Sequence, residues 1–193
     1  LKPDNLFVVG DPRQSIFGWR GSEIKYVVDF PKLGDAQIIN LNKNYRSSQK
    51  IVSFMNHAIA DMSLPDLESG VNILDSKIAI FDFDSEEAER IFVLNKILES
   101  DVPREEIFVL ARTNRQLIEL STLLTKNKVA HIVKTDEVMR PVASKVGEVT
   151  LATIHAIKGL EAREVFVIGC SEQNFPCKAG DHPAVEMIKV DSY

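Results

Sequence analysis

EIFVLARTNRQLIELSTLLTKNKVAHIVK, residues 106–134, is the stretch on which the fold turns. Its first six residues are a near-continuous apolar run, which suits a strand covered on both faces better than a one-sided one. Thr113 then stands three residues before Gln116, the spacing of a capping box at the head of a helix over QLIELSTLLTKN. HIVK (131–134) reads as a second strand. Strand, helix and strand in this order make the right-handed crossover unit of a parallel sheet. The same alternation extends outward. LFVVG (6–10), AQIINL (36–41), KIAIFDF (77–83), EVTLATI (148–154) and EVFVIG (164–169) read as strands. Ser47 or Ser48 precedes a helix over QKIVSFMNHAIADM, and Asp84 with Glu87 forms a second capping box before EEAERIFVLNKILES. Ser63–Asp75 reads as a surface loop and Thr135–Gly147 as a polar connection. The expected fold class is α/β, with a mostly parallel sheet and helices on both faces.

Composition narrows the class. Of 193 residues, 45% are apolar and 26% charged, which is enough for a globular core. No apolar run approaches the roughly 18 residues of a membrane span. The first residues lack the basic start and apolar stretch of a secretory leader, so a cytoplasmic location is expected. Cys170 and Cys177 make no disulfide framework, and Cys170, ending an apolar run, is expected to be buried. His57, His131, His155 and His182 are scattered, and no metal-ligand cluster is expected. A net charge of −5 argues against a generally basic surface but leaves room for a local one.

In an open parallel sheet, ligands gather at the carboxyl ends of strands. Asp11-Pro12-Arg13-Gln14, Asn42 to Ser47, Arg112-Thr113-Asn114 and His155 to Glu161 all follow expected strands. Arg, Lys, Gln, His and Asn at such an edge suit phosphates. No G-x-x-x-x-G-K-[ST] loop occurs, and no acidic pair follows a strand. Phosphoryl transfer needs cradle, metal, water orientation and positive charge together, and these residues supply the positive charge and a polar sensor. The absence of a glycine fingerprint disfavours a Rossmann-type metabolic enzyme.

GDPRQSIFGWRGS (10–22) resembles motif III of the UvrD/Rep-type superfamily 1 DNA helicases, and LNKNYRS (41–47) their motif IV. VTLATIHAIKGLEAREVFVIG (149–169), trailed by Phe175-Pro176, is similar to motif V, and LARTN (110–114) to a further segment of the second RecA-like domain. The resemblance implies a three-layer RecA-like domain over 31–193, preceded by a remnant of the first RecA-like domain and the crossover over 1–30. The sequence departs from the family pattern in that the span from His131 to Gly147 is too short for the large helical insertion and Tyr193 comes before the last arginine motif.

The implied activity is ATP-dependent translocation on single-stranded DNA, three-prime to five-prime, with duplex unwinding in replication or repair. Gln14 would sense the γ-phosphate, Tyr45 stack on adenine and Arg46 serve as arginine finger. Glu161 would bind the ribose, with Gly159 allowing close backbone approach. Phe17 and Trp19 would stack on bases, while Arg20 would bind phosphate or lock its turn. Arg112, Asn114, Thr153 and His155 would contact DNA phosphates, and Lys158 would serve either side. ATP and Mg2+ are the implied cofactors, with the metal ligands outside this chain. The implied partners are single-stranded DNA, duplex junctions and the missing first RecA-like domain, with no membrane. Ala162 departs from the aromatic usual after Leu-Glu. Two alternatives stand beside this: the helicase portion of a RecB- or AddA-type helicase–nuclease, and a non-catalytic DNA- or protein-binding module of the same fold.

Overall fold

The computed structural model describes residues 6–18, 21–33, 36–71, 76–135, 145–171 and 174. In chain order the elements are α1 (Lys25–Val28), β1 (Lys43–Asn44), α2 (Gln49–Ala58), β2 (Glu68–Ser69), α3 (Glu86–Glu99), β3 (Ile107–Ala111), α4 (Asn114–Lys126), β4 (His131–Lys134), β5 (Val149–Thr153) and β6 (Glu164–Ile168). The chain divides into two compact units, one carrying the described residues up to Phe81 and the other those from Asp82.

The second unit is built on a four-stranded sheet in the order β4-β5-β3-β6, parallel throughout. The capping box expected at Thr113 is present and starts α4. Gln116 Oε1 accepts from Thr113 N at 3.1 Å and from its hydroxyl at 3.0 Å, a closure made wholly by residues three apart. At α3 the cap lies one residue beyond the expected Asp84. Ser85 is extended, and its hydroxyl accepts from Ala88 N at 3.1 Å.

One face of the sheet is covered by both helices. Val93, Leu94 and Ile97 of α3 and Leu117, Leu120 and Leu124 of α4 close on Ile107, Val109, Ala111, Val149 and Leu151, all of them buried. Each Val, Leu or Ile among them contributes roughly 1.5–3 kcal/mol on burial. On the other side, Phe108, Ala152 and Ile157 form a smaller cluster with Leu110 and Ala162. Ala162 therefore does have a packing role, as a small residue in the segment that follows β5. The expected α/β class with parallel strands is the one observed, but among the described residues α3 and α4 share one face and the segment after β5, rather than a helix, packs on the other.

The first unit departs from the sequence reading. Its only ladder among the described residues is β1 with β2, pairing Lys43 with Glu68 and Asn44 with Ser69 in parallel. The supposed loop Ser63–Asp75 thus carries a strand. The runs 6–10, 36–41 and 77–83 are not strands. Phe7 is 84% exposed, Leu41 84% and Ile80 87%. An apolar run becomes a strand only when a neighbour supplies backbone hydrogen bonds and a surface to cover. Ser48 does cap α2 as expected, its hydroxyl accepting from Ile51 N at 3.4 Å.

An ion-pair group joins α3 to α4. Arg115 lies 3.3 Å from Glu86 and 3.1 Å from Glu119, and Arg90 is 2.7 Å from Glu119. The Arg115 guanidinium holds the Glu86 carboxyl below its ordinary value of 4.5. A depressed carboxylate stabilises the fold above its unfolded pKa, and that stability is lost as pH falls through the folded value. Glu86→Gln should flatten the loss of melting temperature between about pH 5 and pH 3. Parallel acid melting curves for the two proteins would remove this role.

Gly169 follows β6 with φ +68°, and a Cβ there would overlap Nε2 of the buried Gln116. Gly169→Ala is expected to cost about 2–4 kcal/mol through backbone strain and displacement of the capping glutamine. Gly147→Ala, with φ +84° and open space around it, should cost only about 1 kcal/mol in the same denaturant titration.

Candidate functional site

Asp11 organises the turn after Gly10. Its side chain accepts from Arg13 N at 3.0 Å through Oδ1 and from Gln14 Nε2 at 3.0 Å through Oδ2, capping the 3-10 turn Pro12–Gln14. Pro12 pre-sets the backbone for that turn. The Arg13 guanidinium lies 3.6 Å from Asp11 and donates to the Pro65 carbonyl, tying the turn to the chain before β2. Gln14 is exposed and Phe17 half-buried. Trp19 and Arg20 lie outside the described residues.

A second turn carries Tyr45 and Arg46. Asn44 Oδ1 accepts from Arg46 N at 2.9 Å and Ser47 N at 2.8 Å, an Asx-type closure that holds both neighbours outward. Tyr45 is 70% exposed and Arg46 is exposed. The segment before and through β2 braces this turn. The Asn56 side chain donates to Leu67 O at 2.9 Å and accepts from Leu67 N at 3.1 Å, and Ser69 Oγ donates to Ser47 O at 3.0 Å. Asn44 was legible as an Asx signal two residues before Arg46. The roles of Asn56 and Ser69 required the fold.

In the second unit, the register sets Ala111 beside Thr153, so the carboxyl ends of β3 and β5 meet. Arg112 and His155, 43 residues apart, therefore touch, with Arg112 Nη1 3.0 Å from His155 Nδ1 and 3.2 Å from Nε2. A guanidinium only donates, so the ring nitrogen that accepts carries no proton. Thr153 is buried, and its hydroxyl accepts from Ala156 N at 3.2 Å. Asn114 opens α4, and its Oδ1 is buried with no hydrogen-bond partner among the described residues. Lys158, Gly159 and Glu161 are exposed beyond β5, with Gly159 at φ +89° and open space around it.

Of the expected site residues, the structure brings Arg112, Asn114, Thr153 and His155 to one sheet edge. Gln14, Tyr45 and Arg46 sit on braced, exposed turns of the first unit. His131 is structural: Nδ1 donates to Val129 O at 2.9 Å, and Ser121 is 2.7 Å from Nε2. Cys170 is exposed, contrary to expectation, because it stands past the last residue of β6. Partial burial and the nearby Glu89 carboxylate push its thiol pKa up. Cys177 lies outside the described residues. The exposed Arg46 guanidinium and Gln14 amide suit an anionic nucleotide. Among the described residues, no group of three or more His, Cys, Asp or Glu is placed to hold a metal ion. No helix among them is long and apolar enough to cross a membrane.

Residues 39–140 match the model of the UvrD-like helicase C-terminal domain, and residues 1–33 that of the UvrD/REP helicase N-terminal domain. A probable DNA helicase of Mycoplasma pneumoniae is 28% identical over 202 residues, covering 96% of this chain and 35% of that protein. The ATP-dependent DNA helicase PcrA of Staphylococcus aureus is 32% identical over 133 residues, covering 66% of this chain and 18% of PcrA. The Staphylococcus epidermidis PcrA matches at the same identity and coverage. The chain thus spans about a third or less of the curated relatives it matches.

The two-donor closure at Asn44 makes it the support of the Tyr45–Arg46 turn. Asn44→Ala should cost about 1–2 kcal/mol in denaturant titrations, whereas Asn44→Asp keeps the acceptor and should cost clearly less. Equal losses for the two substitutions would show that the closure contributes nothing.

Proposed function

This chain belongs to the UvrD-like helicase family through its C-terminal domain, and from that premise we propose that it forms the second half of an ATP-driven DNA motor. The observation that carries the reading is the succession of N-terminal and C-terminal helicase models along one chain, over 1–33 and 39–140. In this reading residues 1–30 complete the first RecA-like domain, and 31–193 form the second without a large helical insertion. The exposed apolar run at Phe7 and Val9, 84% and 80% accessible, supports a first domain that covers it.

In the nucleotide cleft, Tyr45 stacks on the base, Glu161 holds the ribose with Gly159 leaving room beside it, and Arg46 reaches the γ-phosphate. Arginine suits this role because it is permanently charged and forked for phosphate oxygens. The Gln14 amide, held by Asp11, reports whether the γ-phosphate is present. Residues of the first domain would hold the Mg2+, which would supply neutralising charge to the phosphates. On the DNA side, Phe17 and Trp19 stack on bases, each contact worth roughly 1–3 kcal/mol. Arg20, Arg112, Asn114, Thr153 and His155 bind the backbone, and Lys158 serves either side. The Arg112–His155 contact orients one donor set along the sheet edge. Opening and closing of the cleft then moves the strand, three-prime to five-prime, and separates duplex ahead of it in the cytoplasm, in replication or repair.

Arg46→Ala in the intact helicase should reduce DNA-stimulated ATP turnover by about 10³-fold or more while single-stranded DNA binding persists. Unchanged turnover would reject the arginine-finger assignment. The 193 residues alone, without a phosphate-cradling loop, should show no DNA-stimulated hydrolysis above background. Saturable ATP turnover by them would overturn the division of labour.

A further inference from the structure

Gly70 is a glycine for reasons of space. Its backbone is not in the left-handed region, where Gly21, Gly147, Gly159 and Gly169 all lie. No turn geometry therefore demands a glycine at position 70. A Cβ there, however, would stand 2.7 Å from both Cδ1 and Cε1 of Tyr45 and 3.3 Å from Cγ. The Tyr45 ring lies directly against the backbone at Gly70, yet Tyr45 keeps 70% of its surface exposed.

Neither partner yields easily. Gly70 N donates to Asn44 O at 2.7 Å, and Glu68 N donates to Asn42 O at 2.8 Å, so the segment through β2 to Gly70 is pinned to the segment that leads into Tyr45. Asn56 clamps Leu67 from α2 with two hydrogen bonds, and the single Ser69 hydroxyl proton has the Ser47 and Val71 carbonyls as alternative acceptors, each at 3.0 Å. From the other side, Asn44 Oδ1 closes the backbone just after Tyr45. With both segments held, a methyl group at residue 70 displaces the ring rather than the backbone.

We infer that Gly70 is a positioning residue for the nucleotide base: it is the floor on which the Tyr45 ring rests, leaving the rest of the ring open to a planar ligand. The inference rests on the reading of Tyr45 as the base-stacking residue. A ring already held in place loses little freedom on binding, which raises affinity without any new contact. Gly70 touches no reacting atom, so its effect falls on base affinity and leaves the chemical step alone.

The test is steady-state ATP hydrolysis by the intact helicase, saturated with single-stranded DNA, as wild type, Tyr45→Ala, Gly70→Ala and the double variant. Gly70→Ala should raise KM for ATP about three- to tenfold with kcat nearly unchanged. Inhibition by inorganic tripolyphosphate, which has no base, should not move. Tyr45→Ala should raise KM in the same way, and adding Gly70→Ala to it should change nothing further, because the methyl group then has space. Should Gly70→Ala fail to fold, Asn56→Ala releases the Leu67 clamp without touching the ring and carries the same expectation. A raised KM for Tyr45→Ala with a wild-type KM for Gly70→Ala, or for its Asn56→Ala substitute, overturns the floor and leaves the base-stacking reading intact. A wild-type KM for Tyr45→Ala overturns the base-stacking reading and the inference with it. Additive effects in the double variant would show that Gly70 acts elsewhere, which also rejects the proposal.

Discussion

The parallel pairing of β3 with β5 on one side and β6 on the other is the constraint on which the second unit depends. Ile107, Val109 and Ala111 are buried beneath α3 and α4, while Phe108 and Leu110 face the segment after β5. A slip of one residue would exchange these two sets and expose the larger core. Register is thus fixed by burial, and register then decides chemistry. With Ala111 beside Thr153, Arg112, one residue beyond β3, meets His155, two residues beyond β5. The same strand end, through Thr113 and Gln116, starts α4, so one local signal supports both the helix and the site edge.

The first unit follows a different logic. It has little sheet, only two residues from each of β1 and β2 among those described, and its order comes from side chains that bond backbone. Asp11, Asn44, Asn56 and Ser69 each make bonds that a longer ladder would have made. Short polar side chains are effective here because they reach the nearby main chain without long, mobile stems. The residues so supported are Gln14, Tyr45 and Arg46. Turns braced in this way leave these side chains exposed, whereas a strand would turn alternate residues inward.

Much of this is legible in the order of residues along the chain. Both the Thr113–Gln116 box and the Ser48 cap act through neighbours three residues away or fewer, and both are present as expected. The runs at 107–111, 131–134, 149–153 and 164–168 became strands because each found a parallel neighbour. LFVVG, AQIINL and KIAIFDF have comparable composition and did not. Apolar content reports a tendency to burial, and only a partner turns that into a ladder. The cap of α3 stands at Ser85 rather than Asp84: adjacent residues both suit a cap, and the extended Ser85 makes the bond to Ala88 N.

The candidate site divides along the same line. Sequence alone determined which residue types stand at the ends of the apolar runs, that no phosphate-cradling loop is among them, and that the segment around Gln14 and Arg46 carries helicase motifs. These are properties of adjacent residues, and short spacing preserves them in any environment. Tertiary structure alone decided that Arg112 meets His155, that Asn56 clamps Leu67, and that Gly70 lies beneath Tyr45. Such contacts join positions 11 to 43 residues apart, and strand register and packed helices set them. No local pattern encodes a distance that exists only after the chain has folded back on itself.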